Sequence, residues 1–242
     1  MKEPIIQLSD LSISYKNKST AVLSDLNLSI EQGELIVLLG DNGSGKSTLL
    51  KTITGLHPYS KGVIRLKNKP ISEWNKRELA NELAFVGTKE VFNSYITVRE
   101  FVSFGRYPFI NWLGHFSKAD EALVTEVLRS CNLMDLSSNS IAEVSDGERQ
   151  KAIIARAIVQ QTSVMVLDEP TTHLDIKNSM SVFQIMKEQS QEYNKTILFS
   201  THQVSEAVEI ASKIWIITKG SILQCLPKEF QTDPSFKEIL LN

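Results

Sequence analysis

The sequence predicts an α/β fold in which a largely parallel β-sheet carries an N-terminal antiparallel β-layer and an inserted helical segment. Three observations support this prediction. Apolar runs of strand length alternate with helix-length segments in the first and last parts of the chain. Apolar and polar residues alternate near the N-terminus, which is typical of half-buried strands. Between about residues 90 and 161 the hydrophobic period becomes helical.

The N-terminal segments predict the antiparallel layer. Residues 5–15 and 21–30 both alternate between apolar and polar side chains, with a predicted turn at residues 16–20 between them. A second turn at residues 31–33 leads into residues 34–39, an apolar run of strand length that starts with the acidic Glu34. Because two alternating strands precede the first fully apolar one, we predict a β-layer added to the parallel sheet.

The stretch that follows this apolar run fits the P-loop pattern G-x-x-x-x-G-K-[ST] and leads into a helix-compatible run ending at Gly55. Strand, glycine loop and helix together place backbone N–H groups and a helix N-terminus against phosphates. A Cβ at Gly43 or Gly45 would obstruct that approach. Lys46 is predicted to reach the β- and γ-phosphates of a nucleotide, and the Ser47 hydroxyl to ligate Mg²⁺. The predicted cradle comprises Gly40, Asp41, Asn42, Gly43, Ser44, Gly45, Lys46, Ser47 and Thr48.

The remaining periodic segments complete the predicted sheet and its helices. The predicted strands lie at residues 63–66, 83–86, 164–167, 196–199 and 214–218, with a turn at 67–70 and a hairpin turn at 219–220. The predicted helices lie at residues 78–83, twice within 97–131, and at 151–159, 179–192 and 205–211. Ligands bind at the carboxyl ends of parallel strands. We therefore expect the P-loop, Asp168–Glu169 and His202, which each follow a strand, on one rim.

Three side chains on this rim match the needs of phosphate hydrolysis. The reaction requires charge neutralisation, an aligned water and a group that accepts the water's proton. Asp168 ends a buried strand and is predicted to hold Mg²⁺ through Ser47 or a water. Glu169 projects to the other side of the backbone, where it is predicted to act as general base. His202 is predicted to contact the γ-phosphate and to orient the attacking water.

A possible second phosphate contact precedes the predicted helix at residues 151–159. Ser145 and Glu148 match a capping box, which would satisfy backbone N–H groups at the start of that helix. The free N–H groups and the dipole at this helix end also suit a phosphate. Capping and phosphate binding are therefore both expected for this segment.

The net charge, the cysteine count and the lengths of the apolar runs argue against several classes of protein. A net charge of −2 over 242 residues argues against a general nucleic-acid binder, which would usually be basic. Cys131 and Cys225 are too few for a disulfide framework or a zinc site, so we expect a reducing compartment. The N-terminus has no apolar signal region, and no run is long enough to span a bilayer. We expect a cytosolic protein that only another subunit would hold at a membrane.

On the basis of these residues, the chain resembles ATP-binding-cassette (ABC) ATPases over nearly its full length. These are the energy-supplying subunits of ABC transporters. The matching elements, in the family's order, are Tyr15 before the P-loop, Walker A at 40–48, the signature region at 145–150, Walker B at 164–169, the D-loop at 174–175 and the switch histidine His202. The resemblance implies one P-loop NTPase domain over residues 1–242. About 1–89 and 162–242 would form the nucleotide-binding core, and about 90–161 the helical subdomain.

The resemblance also implies ligands and partners. Two copies of the chain would sandwich two Mg-ATP molecules, with Tyr15 stacked on adenine and Ser145 and Gly147 on the ATP held mainly by the partner copy. Closure and opening would drive a membrane permease from the cytoplasmic side of the inner membrane, with an external substrate-binding protein involved indirectly. Residues 97–108 look most like those of importers of ferric siderophores, haem or cobalamin. The aromatic stretch at 105–116 is expected either to pack locally or to contact the permease.

Two departures from the family pattern bear on turnover. The family has a Gln after the strand at 83–86 that touches Mg²⁺, and here Thr88 takes that place. A Thr hydroxyl is shorter and would reach the metal only through a water, which would alter coupling. In the signature region, Asp146 and Glu148 replace a Gly and a Gln. If either carboxylate faced the partner's γ-phosphate, closure would weaken; if both turned away, the cost would be small.

Three other functions remain alternatives to import. The same subunit type drives exporters. A soluble ABC-type ATPase acting on ribosomes or DNA is disfavoured, because this chain has neither a second cassette nor a long coiled coil. A catalytically weak regulatory module is suggested by Thr88 and Asp146, but the presence of Lys46, Asp168 and Glu169 argues against it.

Overall fold

The computed structural model describes residues 3–14, 21–88, 95–110 and 115–239. Its strands are β1 (Ile6–Ser14), β2 (Ala21–Ile30), β3 (Leu35–Leu39), β4 (Lys61–Leu66), β5 (Lys69–Pro70), β6 (Leu83–Val86), β7 (Val164–Asp168), β8 (Thr196–Ser200), β9 (Lys213–Thr218) and β10 (Ser221–Cys225). Its α-helices are α1 (Lys46–Ile53), α2 (Lys76–Glu82), α3 (Val98–Ser103), α4 (Lys118–Ser130), α5 (Asp146–Val159), α6 (Ile176–Gln191), α7 (Val204–Ile210), α8 (Pro227–Thr232) and α9 (Pro234–Ile239).

The strands form two sheets. The larger sheet has the order β10-β9-β3-β8-β7-β6, and all its neighbours are parallel except the β9–β10 hairpin. The smaller sheet is antiparallel, in the order β2-β1-β4-β5. The predicted antiparallel layer is confirmed, and it extends further than the N-terminal segments. Strand β4 joins it by pairing with β1, so the chain returns to this layer after the P-loop helix.

The larger sheet is buried on both faces, which explains why its strands are continuous apolar runs. Along β3, Leu35, Val37 and Leu39 belong to the core shared with α3–α6. Ile36 and Leu38 belong to the core shared with α1 and the antiparallel sheet. All five are at most 2% exposed. This two-sided burial holds the P-loop strand rigidly between its neighbours β8 and β9.

Helices α3, α4 and α5 lie between β6 and β7 in the chain, which confirms the predicted helical insertion. Each of α3, α4 and α5 starts at a capping box, with the N-cap residues Thr97, Ser117 and Ser145. Their apolar faces join the core on one side of the larger sheet. None of the helices in the described residues is both long and apolar enough to span a bilayer.

The structure differs from the sequence predictions in three places. The turn predicted at residues 67–70 is confined to Lys67 and Asn68, which both have positive φ, while Lys69 and Pro70 pair as β5. The C-terminal helices α8 and α9 were not predicted, because their runs are too short for periodicity to reveal. The aromatic stretch contains a 3₁₀ helix at Phe104–Phe109.

The described part of the aromatic stretch packs locally. The ring of Tyr107 lies 4.9 Å from that of Phe104 and is stacked 6.1 Å from that of Phe116. Arg106 is buried, and its Nε donates to Asp120 Oδ1 at 2.7 Å. Tyr107 itself stays 54% exposed. The aromatic side chains therefore pack against one another, while Tyr107 remains exposed on the outer face of the stretch.

Candidate functional site

The P-loop connects β3 to α1 through a turn that depends on glycine. Gly40, Gly43 and Gly45 have φ values of 149°, 79° and 107°, which other residues rarely adopt. A Cβ on Gly45 would lie 2.8 Å from Val22 Cγ1, so side-chain packing also excludes one there. A Cβ on Gly43 would meet no atom within 4 Å. The loop therefore leaves open space at Gly43, as a phosphate cradle requires.

Lys46 opens α1 and lies across this loop. Its Nζ donates to the Gly40 carbonyl at 2.6 Å and to the Asp41 carbonyl at 2.9 Å. Burial lowers the pKa of Lys46, and the nearby carboxylates of Glu169, Asp168 and Asp41 act in the opposite direction. The side chain is 5% exposed, so the ammonium has lost much of its hydration. A bound anion would replace those lost interactions.

The carboxyl ends of β7 and β8 supply the acidic side of the site. Asp168 pairs with Ser200 across these two strands, and Ser200 Oγ donates to Asp168 Oδ1 at 2.9 Å. Asp168 is 1% exposed, and its Oδ2 has no hydrogen-bond partner among the described residues. A buried carboxylate oxygen without a partner costs free energy unless a ligand satisfies it. Oδ2 therefore suits a metal ion or a metal-bound water.

Glu169 and His202 are in contact on this rim. His202 Nε2 lies 2.9 Å from Glu169 Oε1, and Thr172 Oγ1 donates to Glu169 Oε2 at 3.0 Å. Because an ionised carboxylate only accepts, His202 donates through Nε2. Glu169 has a φ of 53°, and its N–H donates to Ser200 Oγ at 2.9 Å. This backbone conformation separates the Glu169 side chain from that of Asp168, although the two residues are adjacent.

The hydroxyl groups of the P-loop fit a metal–phosphate complex. Ser47 is partly exposed at the second position of α1, whereas Thr48 is buried below it. Ser44 Oγ is buried and has no hydrogen-bond partner among the described residues. The described residues contain no cluster of three or more His, Cys, Asp or Glu side chains that could hold a metal ion by itself. The donor set suits Mg²⁺, which is commonly held by one or two carboxylates plus substrate phosphates and waters.

The signature region forms the capping box predicted from the sequence. Ser145 is the N-cap of α5, and Glu148 Oε2 accepts from the Ser145 N–H at 2.9 Å and from its hydroxyl at 2.7 Å. The Asp146 carboxylate instead accepts from Arg149 Nη1 at 2.6 Å. Both carboxylates introduced by the departures are therefore engaged within their own chain. The effect of these two carboxylates on closure stays a prediction.

Arg149 holds this segment in place. Besides Asp146, it donates to the carbonyls of Ile141, Ala142 and Val144 at 2.8 to 3.1 Å. Three backbone carbonyls just before the N-cap thus depend on one guanidinium group. No sequence pattern indicates this role of Arg149, because the acceptors are backbone atoms.

We expect Arg149→Leu to lower the free energy of unfolding by about 1.5–3 kcal/mol, since it removes charge-assisted hydrogen bonds to partly buried carbonyls. Asp146→Asn, which weakens only a pair whose carboxylate side is 74% exposed, should cost no more than about 1 kcal/mol. Urea unfolding of both variants measures the difference. Equal losses would show that Arg149 acts through Asp146 alone.

Gly147 lies against the start of α6. A Cβ there would overlap the side chain of Asn178, whose amide nitrogen donates to Asp175 Oδ2 at 3.1 Å. The signature helix and the segment that follows β7 are therefore in direct contact. Asn178 therefore contacts both the signature region, at Gly147, and the predicted D-loop, at Asp175. The sequence analysis did not identify Asn178.

The roles predicted for Tyr15 and Thr88 stay predictions. Tyr15 lies outside the described residues. Thr88 lies two residues beyond the end of β6 and is exposed. Strand β6 pairs with β7, so Thr88 is on the same rim as Asp168, but no contact between them is seen. Its predicted metal contact stays a prediction.

Comparison with known proteins agrees with this geometry. A family model described as ABC transporter matches residues 23–172, which is more than half of the chain. The chain belongs to the ABC transporter family. It carries that family's ATPase domain, so the P-loop fold class predicted from the sequence is confirmed.

Individual ABC relatives match over nearly the whole chain. The petrobactin import ATP-binding protein FpuC of Bacillus anthracis is 32% identical over 228 residues, covering 94% of this chain and 84% of that protein. The ferric enterobactin transport ATP-binding protein FepC of Escherichia coli K12 is 31% identical over 233 residues, covering 96% and 86%. The structure of cbiO1 from Clostridium perfringens, part of the ABC transporter complex cbiONQ, superposes with a TM-score of 0.84 at 26% identity, covering 100% and 96%.

Proposed function

We propose that this chain is the Mg-ATP-hydrolysing subunit of an ABC importer for an iron complex, such as a siderophore or haem, or for cobalamin. The observation that carries the chemistry is the contact of Glu169 with His202, beside the buried Asp168, on the rim whose two carboxylates act on Lys46. The relatives FpuC and FepC, which are named for petrobactin import and ferric enterobactin transport, support the choice of import and of iron complexes.

Binding of ATP starts at the P-loop. The backbone N–H groups of residues 40–48 surround the phosphates, and the Lys46 ammonium moves from the Gly40 and Asp41 carbonyls to phosphate oxygens. The Ser47 hydroxyl and the unpartnered Asp168 Oδ2 would hold Mg²⁺, with Thr88 as a further water-mediated contact. Bound there, Mg²⁺ would supply neutralisation of charge on the β- and γ-phosphates. We assign adenine stacking to Tyr15.

Hydrolysis depends on Glu169 and His202. Thr172 and His202 each donate to one carboxylate oxygen of Glu169, which fixes the orientation of the group that accepts the water's proton. Ser200 orients both acidic residues, because its hydroxyl donates to Asp168 and accepts from the Glu169 N–H. In the ATP-bound state His202 turns to the γ-phosphate and the attacking water. Glu169 then receives the proton.

The active assembly is proposed to be a dimer of this chain bound to a permease. Ser145 and Gly147 of one copy would contact the ATP held by the other, at the N-terminus of α5. We assign residues 1–89 and 162–242 to the nucleotide-binding core and 90–161 to the helical subdomain. The chain would act at the cytoplasmic face of the inner membrane, held there by the permease, with an external binding protein delivering the substrate.

Uptake in the host that encodes the chain tests the direction and class of transport. We expect deletion to abolish energy-dependent accumulation of at least one labelled ferric siderophore, haem or cobalamin, and the wild-type gene to restore it. The Glu169→Gln variant should be produced at the same level and restore nothing, because the permease would lack its energy source. Unchanged accumulation of all three classes, with loss of efflux of another compound, would contradict import and support the exporter alternative.

A further inference from the structure

Lys195, which has no part in the proposed ATPase chemistry, is largely buried, and its ammonium has no partner among the described residues. It lies directly before β8 and is 7% exposed. Its backbone N–H donates to the Gln189 carbonyl at 3.0 Å. Within the described ranges, its ammonium has neither a hydrogen-bond acceptor nor a carboxylate within ion-pair distance. The ammonium still contacts solvent, since it is not among the fully enclosed polar atoms without a partner, so its hydration is reduced and not lost. A ligand of opposite charge would replace the part of the hydration that burial removes.

The Lys195 side chain lines a cavity of about 300 Å³. Helix α4 and the end of α5 provide an apolar wall, formed by Leu123, Val127 and Ile158. The polar wall includes the side chains of Gln161 and Gln189 and the exposed Tyr193. Gln161 Oε1 accepts from Arg106 Nη1 at 3.4 Å, which leaves its amide nitrogen as a donor. The lining thus combines hydrogen-bond donors and one cation with an apolar surface.

The electrostatics of the cavity favour a single negative charge. Burial lowers the pKa of Lys195 to about 8, and no acidic side chain acts to raise it. Glu126 is the one carboxylate among the lining residues, and it makes no ion pair with Lys195. A second negative charge on a ligand would have no cation to meet in this lining and would be repelled by Glu126.

We propose that this cavity binds a small organic monoanion, with its carboxylate on Lys195 and its aliphatic body against Leu123, Val127 and Ile158. The volume is at the lower end of the range for small-molecule sites, so the body is short. This inference stands apart from the proposed transport function, because it uses no residue of the nucleotide site.

The position of the cavity gives such a ligand a structural consequence. Val164 and Thr196 begin β7 and β8, so the cavity beside them lies at the opposite end of the sheet from Asp168. Four residue steps of about 3.3 Å separate the two ends of each strand. The cavity walls come from α4 and α5 of the helical insertion and from α6 and Lys195 of the sheet core. A bound monoanion would therefore connect these two parts away from the nucleotide.

Protection of Lys195 from acetylation tests binding in the unmodified protein. The full chain is labelled briefly with acetic anhydride at pH 8, with and without hexanoate, and each lysine is quantified by mass spectrometry. At about ten times its dissociation constant, hexanoate should slow labelling of Lys195 about tenfold, because the site is then about nine-tenths occupied. Labelling of the exposed Lys228 should not change. Absence of protection at Lys195 up to the solubility limit would overturn the proposal.

An uncharged analogue of hexanoate and a control lysine variant test whether the cavity binds an organic monoanion. Hexanamide has the same shape without the charge and should protect at least tenfold less well at equal concentration. Hexanoate should raise the Tm of the wild-type protein and of Lys228→Met, and leave that of Lys195→Met unchanged. Equal protection by hexanamide would exclude a charge-dependent site, and protection by inorganic phosphate but not hexanoate would exclude an organic monoanion. If Lys195→Met does not fold, the labelling experiment decides alone.

Discussion

Glu169→Gln is expected to bind ATP nearly as well as the wild-type chain and to hydrolyse it about 10²–10⁴ times more slowly. The substitution preserves the size of the side chain, and an amide oxygen can still accept from Thr172 or His202. It removes the carboxylate that would take the proton from water. The loss should therefore appear in kcat, with the affinity for ATP changed by no more than about threefold. Phosphate release and equilibrium nucleotide binding measure the two quantities.

Glu192→Gln is the matched control, because Glu192 is an exposed carboxylate at the end of α6. It should leave both quantities unchanged. If Glu169→Gln retained wild-type turnover, Glu169 would lose its assignment as general base, and the proton would have to leave by another group. If it lost ATP binding together with turnover, the substitution would have disturbed the rim and not the chemical step alone.

Lys46→Met is expected to lower the affinity for ATP by at least about 30-fold. Truncating one partner of a buried charge pair costs about 2–5 kcal/mol, and each 1.4 kcal/mol is a factor of ten in affinity. Met fills a similar volume, so the fold should survive. The unfolding midpoint without nucleotide should fall little or rise, since a buried ammonium is removed. Fluorescent-nucleotide titration and thermal unfolding separate the two effects.

Lys51→Met provides a control on the same helix. Lys51 is exposed in the last turn of α1, five residues after Lys46, so its loss should not change affinity. Equal weakening in both variants would indicate general electrostatic attraction and not a specific phosphate contact. Unchanged ATP affinity in Lys46→Met would contradict the assignment of the P-loop as the phosphate cradle.

Much of the site was predictable because its signals are local. The P-loop is a contiguous pattern in which positive φ values demand glycine, and the structure has such values at Gly40, Gly43 and Gly45. Asp168 and Glu169 end a strand whose continuous apolar run already indicates burial on both faces. Because all strands of this rim are parallel, the position of His202 after the next strand brought it to Glu169.

Other parts of the site involve residues far apart in the chain. Ser200 bonds Asp168 across 32 positions, and no pattern within either segment distinguishes that hydroxyl from its neighbours. Asp146 and Arg149 are neighbours through helical spacing alone, but only the path of the chain before α5 brings the carbonyls of Ile141, Ala142 and Val144 to the same guanidinium group. Lys195 follows a helix in a polar stretch that looks solvent-exposed, yet α4 and α6 pack around it.

The sequence alone thus determined the order of strands and helices, the phosphate-binding loop and the residues that end the central strands. These follow from backbone preferences and hydrophobic periodicity that act within a few residues. The tertiary structure decided which strands share a sheet, as when β4 joins β1, and which side chains are paired or left without a partner. Those outcomes depend on packing between distant segments, where burial changes the free energy of every polar group that lacks a partner.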